Sequence, residues 1–359
     1  MILGWVISFL LLADPSPASP VQDDILPVIL SASEESTASE ESTASEDDFD
    51  VSEYLYGHVG DAYEWHITTI NEKDIVIPLP CIVIENGVHV FTLHHAAENG
   101  YTLNENGKLV NAQTGKRPID ISITKNVAGL LFDSILLVVL ILLCARWYKK
   151  HDVLKEKPTG IAGLMEPLIV AIEQDVIKDA VGPEYKRFSP YLLTAFFFIL
   201  INNLMGIVPF FPGGANITGN IAVTGALAVF TFLAVNLFGN KHYWKDILWP
   251  DVPLFLKVIP IMPVIEIIGM FTKPFSLMIR LFANMLAGHI MLLSVVALIF
   301  TSVALGPIMN GSLTVVAVLF GVFMDCLELL VAFLQAYVFT MLSSVFIGLA
   351  HQQPETETN

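Results

Sequence analysis

Six stretches of this chain are too apolar and too nearly free of charge to belong in water, at about 127–147, 190–211, 219–239, 258–290, 291–309 and 313–350. A hydrocarbon core about 30 Å thick takes about 20 apolar residues per helical crossing. The composition agrees: 54% of residues are hydrophobic and 15% charged, with a mean hydropathy of +0.64. Lipid offers the backbone no hydrogen-bond partner, so each crossing must be a helix that satisfies itself. The expectation is an all-α polytopic membrane protein with about five to six transmembrane or tilted helices. The stretches 258–290 and 313–350 exceed one crossing and imply tilt, and the last pair should form a long hairpin through the Gly306 to Gly311 turn.

The remainder is placed by charge. Residues 1–128 hold 20 acids against 5 Lys or Arg, and the rest 15 against 13, so the net charge of -17 is a property of the N-terminal third and argues against nucleic acid as a partner. Residues 1–20 resemble a secretory signal without a strong basic start, with a membrane anchor as the alternative. Residues 21–48 carry a six-residue Ser/Glu repeat, ASEEST, with nothing large and apolar to bury, and are expected to be a disordered acidic tether. Residues 49–126 hold short β-prone runs such as CIVIENGVHVFTL and are expected to form a small β-rich unit outside the membrane. Arg146, Lys149 and Lys150 close the first crossing and put that end in the cytoplasm, which makes the β-rich unit periplasmic. Residues 159–182 space Ile161, Leu164, Leu168, Ile169, Ile172, Val176 and Ile177 as an amphipathic helix on the cytoplasmic face. By parity the tail 351–359 is cytoplasmic too. The histidines of the β-rich unit lack a metal-ligand spacing, and Cys81, Cys144 and Cys326 are too scattered for a zinc site or a disulfide framework.

Charge inside an apolar helix costs about 2.5–3.5 kcal/mol on insertion scales and calls for a reason. Arg280 stands in KPFSLMIRLFANMLAGHI with apolar residues for more than a turn on either side, and its guanidinium stays protonated at any accessible pH. It is either paired with a carboxylate of a neighbouring helix or held there for function. At about 100° per residue Asn284 shares its face within roughly 40°, whereas His289 points to the opposite side. Ala283, Ala287 and Gly288 leave room for close approach by another helix, this chain's own or a partner's. Glu328 and Gln335 are seven residues apart on one face of the last stretch, with Asp325 one turn before Glu328. A carboxylate there finds a cation, becomes neutral or lines water, so Glu328 is a proton site or half of a salt bridge, and Asp325 a path residue or a helix-end charge. Glu266 and Lys273 complete the set, while Asn202, Asn203 and Asn236 are candidate interhelical hydrogen-bond formers.

The string KPFSLMIRLFANMLAGH resembles the penultimate-helix signature of the F-type ATP synthase subunit a family, and INNLMGIVP, ITGNIAVTGALAVF and FLQAYVFTMLSSVFIGLA agree with it in order over about 127–350. The resemblance implies a non-catalytic, proton-conducting stator subunit of a bacterial inner-membrane ATP synthase, with two aqueous half-channels, no cofactor and no metal. Its implied partners are the c-ring, the b subunit of the peripheral stalk, lipid, and H⁺ or Na⁺ as the carried ion. By position Arg280 becomes the arginine that faces the c-ring carboxylate, Gln335 the glutamine across from it, and Asn284 a neighbour on the same face. Glu266 matches a half-channel carboxylate. His289 and Glu328 stand where many members carry the acid and the imidazole in the reverse order. An ion-coupled secondary transporter would also bury charge, but it would show internal repeats, and none is found. An intramembrane hydrolase would need a metal motif or an activated nucleophile, and neither is present.

Overall fold

The computed structural model describes residues 60–351 apart from 71–72, 86, 105–106, 153–154, 209–211 and 249–260. The expected signal segment, acidic repeat and C-terminal tail beyond His351 lie outside the described residues. The chain divides into two compact units: Met1–Leu130 with Val208–Ala222 and Leu286–Cys326, and Leu131–Ile207 with Val223–Met285 and Leu327–Asn359.

In the first unit the β-rich segment is built from three small antiparallel sheets. Strands β1 (Glu64–Ile70) and β2 (Lys73–Pro78) pair with each other. β3 (Pro80–Ile84) lies between β4 (Val88–Thr92) and the two-residue β7 (Ile119–Asp120), and β5 (Tyr101–Leu103) pairs with β6 (Leu109–Asn111). The β3–β4 turn contains Asn-Gly, and Gly87 takes φ 148, a backbone that an L side chain rarely adopts. Alternation along β3 sends Cys81 and Val83 inward, both 0% exposed, where they meet Phe91, Tyr101 and Leu109. Tyr63 enters the same core and donates its hydroxyl to Asp120. Burial first, and then that carboxylate, push the Tyr63 hydroxyl above its ordinary range. The unit leads straight into the first long helix, whose start is tied down by Asp61 accepting from the Asn126 amide at 3.0 Å and by the Lys125 amide donating to Ala62 at 2.8 Å.

Among the described residues, five helices are long and apolar enough to cross a membrane. They are α1 (Lys125–Lys150), α3 (Tyr185–Ile207), α4 (Ile221–Phe238), α6 (Ile261–Thr301) and α7 (Pro307–His351), with the shorter α2 (Ile161–Ala171) and α5 (Lys241–Leu248) between them. The stretches expected as separate at 258–290 and 291–309 are one helix of 41 residues, about 60 Å long. No Gly or Pro breaks the chain at Ile290–Met291–Leu292, so the helix continues, and the five candidate spans of the described residues fall within the expected five to six. The expected turn is also narrower: Ser302–Leu305 form a 3₁₀ turn, Gly306 takes φ 91, and Pro307 opens α7, which leaves Gly311 inside the helix. Ser302 Oγ donates to Asn310 Oδ1 at 2.7 Å across that turn.

The second unit has a core drawn from every helix that passes through it, including Leu137, Ile177, Leu192, Leu281 and Ala336. α2 continues through seven π-helical residues, Ile172–Lys178, to a final turn Asp179–Val181. Its buried side is Ala162, Met165, Ile172, Val176 and Ile177, and Leu164 at 67% and Ile161 at 41% exposure point outward, against the stripe expected from spacing. The buried side runs through Ala162, Met165, Ile169 and Ile172, at i, i+3, i+7 and i+10, and at about 100° per residue Leu164 falls roughly 120° from its centre. Tyr191, Thr231 and Ser343 join α3, α4 and α7 by hydroxyl bonds of 3.0 and 3.3 Å. Near its C-terminal end α7 runs so close to α2 that a Cβ built at Gly348 would overlap the Ala180 carbonyl oxygen and stand 3.0 Å from its carbon. The obstacle is backbone, which cannot turn aside as a side chain can. Gly348→Ala is therefore expected to destabilise the chain by about 2–3 kcal/mol, seen as a lower melting temperature of the detergent-solubilised protein, and an unchanged melting temperature would refute this close approach.

Candidate functional site

The sequence around Arg280 folds one side of α6 into the core: Leu277, Met278, Leu281, Phe282 and Met285 are each at most 5% exposed. At about 100° per residue Arg280 falls roughly 130° from the centre of that stripe. It is half-buried, and Asn284 one turn on is exposed. Arg280 and Asn284 thus occupy the side of α6 that this unit does not cover with its core, one permanent charge and one amide in an otherwise apolar helix.

α7 presents the reverse arrangement. Glu328 and Gln335, each 8% exposed, lie on the side that carries Ala332 and Ala336, both fully buried, while Leu330 at 54% and Leu334 at 44% face away. The expected sharing of one face by Glu328 and Gln335 is what the helix shows. Between them, Asn203 of α3 donates its amide to the Ala332 carbonyl at 3.1 Å. Leu277, Leu281 and Met285 of α6 and Ala336 and Phe339 of α7 belong to the same core cluster, so the helices that carry Arg280 and Gln335 are held in one packed body.

Polar side chains of these helices divide by partner. Asn202 and Asn236 donate to carbonyls of their own helices, Phe198 at 2.7 Å and Phe232 at 2.8 Å. Arg280, Asn284 and Gln335, by contrast, form no hydrogen bond or ion pair with any described residue. The alternative that Arg280 is fixed by a carboxylate of this chain therefore finds no partner among the described residues. Glu266 and Lys273 are exposed and do not pair with each other; the Lys273 ammonium instead stands 5.6 Å from the centre of the Phe346 ring. Beside it a cavity of about 10 Å³, room for one water, is bordered by Asn236, Tyr243 and Thr231. Tyr243 donates to Asn236 at 3.2 Å, and burial, followed by the charge of Glu266, raises its hydroxyl pKa. His289 is half-buried and Asp325 exposed; both belong to the first unit.

One carboxylate escapes a reading by helical spacing. Asp133, in α1, is 2% exposed, and neither of its oxygens has a hydrogen-bond partner among the described residues. Its sequence signal is the acid itself within LLFDSILL, with Asn126 seven residues before it at the start of the helix.

Residues 131–348 match the family model of the ATP synthase A chain, and residues 54–127 match that of a domain of unknown function (DUF8433). The chain is 47% identical over 238 residues to ATP synthase subunit a of Pelodictyon phaeoclathratiforme, a match covering 65% of this chain and 66% of that one. It is 43% identical over 270 residues to ATP synthase subunit a 2 of Chlorobaculum tepidum, covering 72% of each, and 41% identical over 242 residues to ATP synthase subunit a of Anaeromyxobacter dehalogenans, covering 64% and 58%.

The Asn203 bond across helices should be measurable. Asn203→Leu is expected to cost about 1 kcal/mol, within the range for interhelical bonds in membranes. Asn202→Leu, which removes a bond within one helix, should cost less than half of that. Equal melting temperatures of the two purified variants would show that the α3–α7 bond contributes nothing.

Proposed function

The chain belongs to the ATP synthase A chain family and is a multi-pass part of the ATP synthase membrane sector, and we propose that it is the fixed ion-conducting element there, with Arg280 as its gate. The observation that carries this reading is the missing counter-ion. A guanidinium cannot shed its charge, and burying one without a partner is costly, so Arg280 calls for a carboxylate from outside the described chain. A ring of c subunits, each bringing a carboxylate past the uncovered side of α6, supplies such a partner in turn.

The electrostatics then define the cycle. A ring carboxylate travels through lipid only when neutral. Opposite Arg280 its pKa falls, it gives its proton to one aqueous half-channel, and past Arg280 it takes another from the second. The fixed positive charge also opposes direct passage of a proton between the half-channels. Asn284 and Gln335, polar and unbonded among the described residues, flank the exchange, while Glu328 with His289, and separately Glu266 and Asp325, carry protons to and from it. Each charge that crosses 100 mV yields about 2.3 kcal/mol, so several crossings are coupled to each ATP. The ring and the b subunit of the peripheral stalk are the partners of this reading, H⁺ the ion, with Na⁺ the alternative, and a bacterial inner membrane the location.

Arg280→Ala should abolish ATP-driven proton pumping by inverted vesicles while the chain remains in the membrane, and Arg280→Lys should not restore full coupling, because a compact ammonium lacks the planar fork. Normal pumping by Arg280→Ala would end the proposal. The orientation is testable separately: a cysteine replacing exposed Lys116 in the β-rich unit should react with an impermeant thiol reagent in intact cells, and reaction only from the cytoplasmic side would invert the topology.

A further inference from the structure

Asp133 is not accounted for by the gate. It lies eight residues into α1, about 12 Å from the end that joins the β-rich unit and roughly 25 Å from the Lys150 end. It is 2% exposed, and both carboxylate oxygens are buried without a hydrogen-bond partner among the described residues. No carboxylate-to-cation pair of the described residues includes it. Among the other buried polar side chains of the spans, Asn203 donates to the Ala332 carbonyl, Thr231 bonds with Tyr191 and Ser343, and Ser344 donates to the Thr340 carbonyl, while the atoms left without a described partner on Asn202, Asn203 and Thr340 belong to neutral groups, unlike the acid of Asp133. An aspartate within a crossing costs up to about 2.5–3.5 kcal/mol on insertion scales, and no described residue bonds to it here. A leucine would fill the place at no such cost, so the acid is retained for something that comes and goes.

We propose that Asp133 is a proton-holding residue of the half-channel that opens on the side of the β-rich unit. The step is a simple transfer: an O–H bond of hydronium breaks, one forms on a carboxylate oxygen of Asp133, and water is left. The reverse step passes the proton inward, with no other bond made or broken. A carboxylic acid suits the site, because in its neutral form it fits an apolar wall and in its charged form it exists only while water or the next acceptor is at hand. This inference rests on the ion-conducting reading above.

The test uses the whole ATP synthase in inverted vesicles, with Asp133→Asn, Asp133→Glu and Arg280→Ala compared at equal chain content. Asp133→Asn should lower ATP-driven pumping about tenfold, less than loss of a directly reacting acid–base group would, since water carries part of the traffic. Asp133→Glu should keep most of it. Unreduced pumping by Asp133→Asn, or equal loss in both variants at full chain content, overturns the inference. Arg280→Ala separates the failures: if it still pumps, the underlying reading is wrong, whereas its inactivity beside a fully active Asp133→Asn removes the Asp133 assignment alone. If the variants do not accumulate in the membrane, the native protein decides through a water-soluble carbodiimide with glycine ethyl ester. Mass spectrometry should find the ester amide on Asp133; its absence while exposed Glu156 is fully modified overturns the proposal.

Discussion

The fold is organised by the cost of placing a polar group where no water can reach it. That cost makes the spans helical and sends their amides and hydroxyls to carbonyls or to each other. Asn203 reaches Ala332, Thr231 meets Tyr191 and Ser343, and Asn240 closes on the end of α7 through Ala350 and His351. Against this background the groups without a partner among the described residues include neutral atoms of Asn202, Asn203 and Thr340, and four side chains that bear on the chemistry. Arg280, Asn284 and Gln335 belong to helices that share one core, and Asp133 is in α1. The same rule that builds the protein therefore picks out where its chemistry is to be sought.

Length is the second organising quantity. α6 and α7, at 41 and 45 residues, are each far longer than the roughly 20 residues a perpendicular crossing takes. Nine residues of regular helix separate Arg280 from His289 along α6, an angular offset of about 180°.

Much of this was legible in the sequence because hydrocarbon thickness and the price of charge act on local residues. The crossings, the β-rich segment, the isolation of Arg280 and the common face of Glu328 and Gln335 all follow from spacing. Other features rest on interactions that spacing does not record. The fusion of two apolar stretches at Ile290 turns on the absence of a helix breaker, which a search for average lengths overrides. The outward turn of Leu164 reflects which of two overlapping apolar stripes the core takes, the one through Ala162, Met165 and Ile172, and size alone does not mark that choice because Ala162 is small. Asp133 needed no periodicity at all; it is found by asking of every acid in a span what neutralises it.

The close passage of Gly348 against Ala180 bears on mechanical behaviour. Where a helix leans on another through side chains, a sideways push is absorbed by rotamer changes and small slips. Here the contact is main chain against main chain, and Asn240 grips the last turn of α7 through the carbonyls of Ala350 and His351 at 2.9 and 3.0 Å. A force applied to the outward face of α7 near its C-terminal end is therefore met by a stiff support with little play. The helix then behaves as a braced strut at that end, able to keep its position against a neighbour sliding past.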